Sequence, residues 1–221
     1  MGGHDEAAPR ERRGLREKRQ AVMDGALRVF ARDGYTRGSI GEIAKEAGVS
    51  TRTIYNHFKD KDELFREVIA ASAASVRDAH VAQIERHFAK ITDLEADLRT
   101  FVREFATSRP GFPDHFALVR QINAEVGHLP PEVIDAWRQN GPQPVKAALA
   151  AALAGLAKRG LLEIDDPFHA ATHLMALTGS EVSARTFMGA LSMAEKEVNE
   201  IVDSGLAVFL RAYRPRRPPA R

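Results

Sequence analysis

The chain has 221 residues, a mass of 24.3 kDa, no cysteine and a net charge of +2. That length is ample for a buried core in one large or two small domains, and the lack of cysteine excludes a disulfide framework and a thiolate metal site. No apolar run approaches the ~18 residues of a membrane span, and the first twenty residues lack the apolar segment of a secretory signal, so a cytoplasmic protein without a membrane partner is expected.

Charge is unevenly spread. Residues 1–59 hold 12 Lys/Arg and 8 Asp/Glu, residues 60–210 hold 15 and 22, and residues 211–221 hold five Arg and no acid. A basic first segment on an acidic body points to a nucleic-acid face at one end.

Residues 1–14 are rich in Gly, Pro and mixed charge, and are expected to form a disordered arm. Arg16 and Lys18 lead into a first helix over 20–33, placed to lie along phosphate. Val22, Ala26, Val29 and Phe30 form its inner stripe, and Gly34-Tyr35 ends it. Ser39 with Glu42 is a capping box that opens a second helix. Gly48 ends that helix, supplying positive φ. Ser50 then caps a third helix over 51–58. Ile54 and Phe58, four apart, anchor it inward, leaving Thr51, Arg52, Thr53, Tyr55, Asn56 and His57 for other faces. An apolar underside with a donor-rich top matches a helix-turn-helix whose second helix enters the major groove. The bland alternative is a helical hairpin with solvated polar residues.

Asp60 with Glu63 opens a fourth helix to about residue 88, uninterrupted by Gly or Pro. Thr92 with Glu95 reads as a third capping box, starting a helix to about 108. After a break at 109–113, helices are expected over 115–126, 131–139 and 144–158. Asp165 or Asp166 before Pro167 is a start signal for a helix over 167–187, and a last helix covers 192–213. No strand or repeat is visible. The fold class is therefore all-α, organised as an arm (1–14), a three-helix DNA-binding domain with the helix-turn-helix (15–59), a helical domain (60–213) and a basic Pro-rich tail (214–221).

No Gly-rich phosphate loop, Gly-x-Ser-x-Gly elbow or cysteine nucleophile appears, so no enzyme and no cofactor are expected. His169 and His173 have the spacing of a two-histidine metal site, but the segment lacks the glutamate of a zinc hydrolase, and no metal is expected there.

The order of helix, Asp-Gly-Tyr, helix, Gly-Val-Ser, recognition-type helix, Tyr-Asn-His-Phe-Lys and Lys-Asp-Glu-Leu resembles the TetR family of bacterial transcription regulators. The likeness is dense over residues 21–65. More weakly, the run from His115 through Ala-Glu-Val-Gly to Gly160-Leu-Leu and Asp166-Pro is similar to the AefR-like branch. The resemblance implies a repressor that binds double-stranded DNA at a palindromic operator and is released by a small-molecule effector. Arg52, Thr51 and Asn56 would reach base edges by their hydrogen-bonding and methyl chemistry. Positions matching Tyr55, His57, Lys59, Ser39 and Thr53 would touch phosphate. It also implies a homodimer through the last two helices, where small residues including Ala176, Gly179, Ser180 and Ala184 permit close approach. Candidates for an apolar or aromatic effector pocket are Phe101, Phe105, Phe112, Phe116, Trp137, Leu174, Met175 and Phe187, with His173, His115 and His128 as polar contacts; at helical spacing such residues also suit plain core. The other reading is a helical scaffold that binds DNA without sequence preference or effector.

Overall fold

The computed structural model describes residues 7–215, which contain ten α-helices, one short 3-10 turn at Arg109–Gly111 and no strand. The helices are α1 (Ala7–Arg37), α2 (Ile40–Ala47), α3 (Thr51–Tyr55), α4 (Lys61–Phe88), α5 (Leu94–Ala106), α6 (Pro113–Glu125), α7 (Pro131–Asn140), α8 (Pro142–Lys158), α9 (Pro167–Arg185) and α10 (Glu195–Tyr213). The first begins earlier than expected. Residues 7–14, read from sequence as disordered, are its opening turns, and an Arg13–Glu17 pair at 2.9 Å bridges i to i+4 there. Residues 1–6 of the expected arm and 216–221 of the tail lie outside the described residues.

The helices sort into two compact units. The first comprises the described residues up to Ala73 together with Asp114–Arg138. Its core joins Val22, Ala26, Val29 and Phe30 of α1 to Ile43, Ile54, Phe58, Leu64, Phe65, Val68 and Ile69. Leu118 and Ile122 of α6, Leu129 and Val133 of α7 complete it. The domain boundary is expected at residue 60, and the compact unit extends past it to Ala73. The start of α4 and most of α6 and α7 pack with α1–α3 in this unit, covering apolar positions of α1 and α4 that the first three helices alone would leave in water.

Local chemistry explains the turns in this unit. Gly34 has φ 80° and ψ −179°, which interrupts α1 after the Val22–Phe30 stripe. Tyr35 then folds back against Phe65, with ring centroids 4.8 Å apart, and its hydroxyl bonds to Asp62. Burial, then the Asp62 hydrogen bond, pushes the Tyr35 phenol up to about 12. Asp60 caps α4 by accepting from the Glu63 amide at 2.8 Å. The Glu63 carboxylate accepts from the Lys59 amide at 2.6 Å, one residue earlier than the reciprocal bond of a capping box would fall.

The second unit comprises Ala74–Pro113 and the described residues from Gln139 onward. Leu98, Phe101 and Val102 of α5, Leu149 and Leu153 of α8, Ala170, Ala171 and Leu174 of α9, and Val202, Leu206 and Phe209 of α10 share its core. The cap of α5 is Asp93, not Thr92. Asp93 accepts from the amides of Glu95 and Ala96, and Asp97 accepts from those of Thr92 and Asp93. A carboxylate with two acceptor oxygens displaces a hydroxyl one residue away. Asp166 caps α9 ahead of Pro167. No helix among the described residues is long and apolar enough to cross a membrane.

Candidate nucleic-acid interface

The surface is built from one turn outward. The Ser39 hydroxyl accepts from the Glu42 amide at 3.2 Å, and Glu42 Oε2 accepts from the Ser39 amide at 3.1 Å, the capping box read from the sequence. The Ser39 hydroxyl also donates to that carboxylate at 2.9 Å, so its proton is already engaged. At the far end of α2, Gly48 sits at φ 66°, and its amide and that of Val49 bond back to carbonyls of Ala44 and Lys45. Two residues later Ser50 caps α3, accepting from the Thr53 amide at 3.1 Å. The two hydroxyls, Ser50 and Thr53, are 2.9 Å apart.

The third helix is shorter than the eight residues expected, with regular geometry over Thr51–Tyr55. The Asn56 amide bonds to the Arg52 carbonyl at 3.0 Å, and the His57 and Phe58 amides both reach the Ile54 carbonyl at 2.9 Å, so the chain keeps turning to Phe58. Ile54 and Phe58 are each 1 % exposed. Their burial fixes which side of the turn faces out. Thr51, Arg52, Tyr55, Asn56 and Lys59 are exposed, and Thr53 and His57 are half-buried. Tyr55, an aromatic with 56 % exposure, stands open on that side.

The basic residues divide by what they already hold. Arg28 pairs with Glu46 at 2.7 Å, bracing α1 on α2. Arg19 bonds to Glu67, and its guanidinium lies 5.0 Å over the Phe58 ring. It therefore clamps α1 to the base of the turn after α3, a role its position in a basic run does not reveal. Arg16, Lys18, Arg52 and Lys59 are exposed, and no salt bridge ties their side chains among the described residues. Unpaired, extended cations beside hydroxyls and an amide can neutralise phosphate and read base edges without first breaking an internal bond.

The aromatic and methionine candidates are distributed between the units. In the second unit Phe101 is 2 % exposed, in ring contact with Phe88 at 5.1 Å, Phe105 at 5.4 Å and His87 at 5.7 Å. Phe105 and Phe112 are half-buried, and their rings lie 4.7 Å and 6.5 Å from that of His80. His80 Nε2 stands 2.9 Å from the Ser108 hydroxyl. Leu174 is core, Met175 is half-buried, and His173 is exposed with Nδ1 2.6 Å from the Tyr213 hydroxyl. Phe187 is 67 % exposed, at φ 47° in the turn after α9. Phe116 and Trp137 belong to the first unit, where Trp137 packs on its core. His115 there is buried, its Nδ1 2.9 Å from the Ser72 hydroxyl. The fold thus gathers Phe101, Phe105 and Phe112, and adds His80 and His87, which sequence reading passed over because neither stands in a motif. His128 is exposed. The His169 ring stacks on that of His173 at 6.4 Å and pairs with Asp166 at 3.1 Å. Bonds from the His169 and Phe168 amides, with His169 itself, hold the Asp166 carboxyl below the usual range.

Comparison with known proteins supplies context for this surface. Residues 22–68 match the family described as bacterial regulatory proteins, tetR family, and residues 96–215 match the AefR-like transcriptional repressor, C-terminal domain. The regulator AcrR of Shigella flexneri is 48% identical over 60 residues, which is 27% of this chain and 28% of that protein. The repressor Rv1474c of Mycobacterium tuberculosis is 39% identical over 51 residues, 23% of this chain and 27% of that one. These matches thus cover about a quarter of each curated relative's length. A solved TetR-family regulator from Mesorhizobium loti is 28% identical, with a TM-score of 0.81 over 91% of this chain and 98% of that one. The flavonoid-responsive regulator FrrA is 29% identical, with a TM-score of 0.67 over 90% of this chain and 98% of that one.

Proposed function

Since the chain belongs to the TetR family of transcription regulators and carries an AefR-like carboxy-terminal domain, we propose that it is a repressor released from a palindromic DNA operator by a small apolar or aromatic effector. The relatives and the fold are those of DNA-binding regulators, not enzymes. The observation that carries the reading is the two-sidedness of the α3 turn: Ile54 and Phe58 buried beneath, Thr51, Arg52, Tyr55, Asn56 and Lys59 free above. Repression is supported by the AefR-like match, and an aromatic effector by the likeness to FrrA along nearly the whole chain. In this reading Arg52 pairs with guanine, Asn56 with adenine, and the Thr51 methyl meets thymine. Tyr55, His57, Lys59, Arg16 and Lys18 hold phosphate, joined by Thr53. Ser39 joins them once its hydroxyl leaves Glu42.

The homodimer is assigned to α9 and α10. Much of the apolar stripe of α10 is spent inside the protomer, on Val198, Val202, Leu206 and Phe209. On the outside, α10 offers Val208 at 41 % exposure and α9 offers Leu177 at 38 % and Phe168 at 52 %, with Ala176, Ser180 and Ala184 of α9 also exposed. A homodimer suits a palindromic operator, whose half-sites lie about 34–36 Å apart, one turn of duplex DNA.

Selection of duplexes from a randomised pool, followed by footprinting, tests this. One protected palindrome is expected; diffuse protection would favour a scaffold without sequence preference and overturn the reading. Arg52→Ala should cost ~1–3 kcal/mol on the selected duplex and relax its sequence preference. Lys59→Ala should weaken selected and random duplexes alike and lower the salt slope by about 1. Equal losses for Arg52→Ala on both duplexes would remove the base-reading role. For the effector, a flavonoid panel is the first thermal-shift screen, because a ligand at about 100 times its dissociation constant adds ~2.7 kcal/mol to stability.

A further inference from the structure

The kink at Gly34 breaks a hydrogen bond, and α6 replaces it. In an unbroken helix the Thr36 amide would donate to the Arg32 carbonyl four residues back. The left-handed φ of Gly34 turns the chain between them, leaving one donor and one acceptor to be satisfied elsewhere. The Arg32 carbonyl accepts from the Gln121 side-chain amide at 3.2 Å. The Thr36 amide donates to Glu125 Oε2 at 3.0 Å, and the Thr36 hydroxyl donates to the same oxygen at 3.1 Å. Gln121 and Glu125 are four apart, on one face of α6. A Cβ at Gly34 would stand 2.3 Å from Glu125 Oε1 and 3.1 Å from Gln121 Oε1, so both side-chain ends would have to shift to admit one.

The turn so held is the one that enters the DNA-binding helices. The Gly38 amide bonds back to the Gly34 carbonyl at 3.2 Å, and Ser39 follows at once as the cap of α2. Gly48 and Ser50 then carry the direction of α2 into α3 within three residues. An error in the α1–α2 turn therefore passes to Arg52 and Asn56 without an intervening flexible joint. Both ends of the segment 114–138 continue directly into chain of the second unit, at Pro113 and Gln139.

We propose that the Gln121–Glu125 face of α6 is a positioning element for DNA recognition, with Glu125 setting the α1–α2 turn and through it the pose of α3. The inference rests on the DNA-binding reading above. Losing the Glu125 acceptor oxygen frees the Thr36 amide and spreads α2–α3 over several poses, of which only a fraction fits the groove. Affinity falls by that fraction.

Glu125→Ala and Glu125→Gln decide it, with two readouts on the full chain. The first is hydrogen exchange of the amides across residues 34–42. The second is affinity for the duplex that the wild-type protein selects from a randomised pool, measured well below the melting temperature so that loss of stability alone leaves it unmoved. Glu125→Ala should speed exchange at Thr36 and weaken binding by about five- to ten-fold, the effect of two modest hydrogen bonds. Glu125→Gln keeps an acceptor oxygen and should return both readouts close to wild type. Unchanged exchange in Glu125→Ala overturns the proposal. So does faster exchange with unchanged affinity, or equal damage from both variants. A wild-type protein that selects no duplex would defeat the DNA reading instead, and the exchange result would still decide the clamp.

Discussion

Phe30→Ala is expected to lower the unfolding free energy of the first unit by ~3–5 kcal/mol, the range for removing a buried aromatic ring. The ring is fully buried and meets that of Phe65 edge-on at 4.7 Å. It also lies under the α1–α2 turn, where a Cβ at Gly38 would come within 3.0 Å of Phe30 Cδ1. The loss combines burial, the cavity left behind and the ring pair. Collapse of the site is opposed by Val29, Ile43 and Phe65, which sit in the same core. Set against a typical total stability of ~5–15 kcal/mol, that loss is a large share of what keeps the DNA-binding helices folded. Phe30→Leu keeps most of the volume and should cost only ~1–1.5 kcal/mol. Urea unfolding followed through the helical signal measures both. A loss below about 1 kcal/mol for the alanine variant would mean that α1 does not carry this core.

Gly205→Ala should destabilise the second unit by ~3 kcal/mol, the upper part of the range for overpacking. Gly205 lies within α10, and a Cβ there would stand 1.9 Å from the Leu177 carbonyl oxygen and 2.5 Å from its carbon. These are backbone atoms of α9, which no side-chain rotation can move. The helices must separate, and Leu174, Val182, Val202, Leu206 and Phe209 lose contact as they do. The usual gain from alanine over glycine in a helix, ~0.5–1 kcal/mol, has the opposite sign and is too small to rescue the site. Gly155 of α8 provides the control. Nothing lies within 4 Å of a Cβ at that position, and it is exposed, so Gly155→Ala should raise stability by that same ~0.5–1 kcal/mol. Thermal unfolding of the two variants beside wild type should move in opposite directions. A stabilising Gly205→Ala would show that α9 and α10 do not approach this closely.

These two sites mark how far the sequence could be read. Ser39 with Glu42, Gly48, Ser50 and Asp166 before Pro167 all act on partners within five residues, and each was legible with its chemistry. Reading slipped by one residue at the cap of α5, where Thr92 and Asp93 both qualify and only the relative strength of hydroxyl and carboxylate chooses. It slipped further at the start of α1, because Gly, Pro and charge depress helix propensity without forbidding a helix. The candidate surface followed from Ile54 and Phe58 being four apart and buried, which leaves Thr51, Arg52 and Asn56 on the other side. The pocket candidates fared differently. Phe101, Phe105 and Phe112 come together, while Trp137 serves the first unit and Phe187 stands in the open.

From its sequence alone this protein is all-helical, with its helix-turn-helix at residues 39–58, because capping and amphipathic spacing are local and each helix records its own. The tertiary structure alone decided that α6 and α7 complete the core of the DNA-binding unit, that Arg19 turns inward to Glu67 and Phe58, and that Gly205 is where α10 meets the backbone of α9. An apolar stripe states that a face must leave water, and carries no information about which other face will cover it.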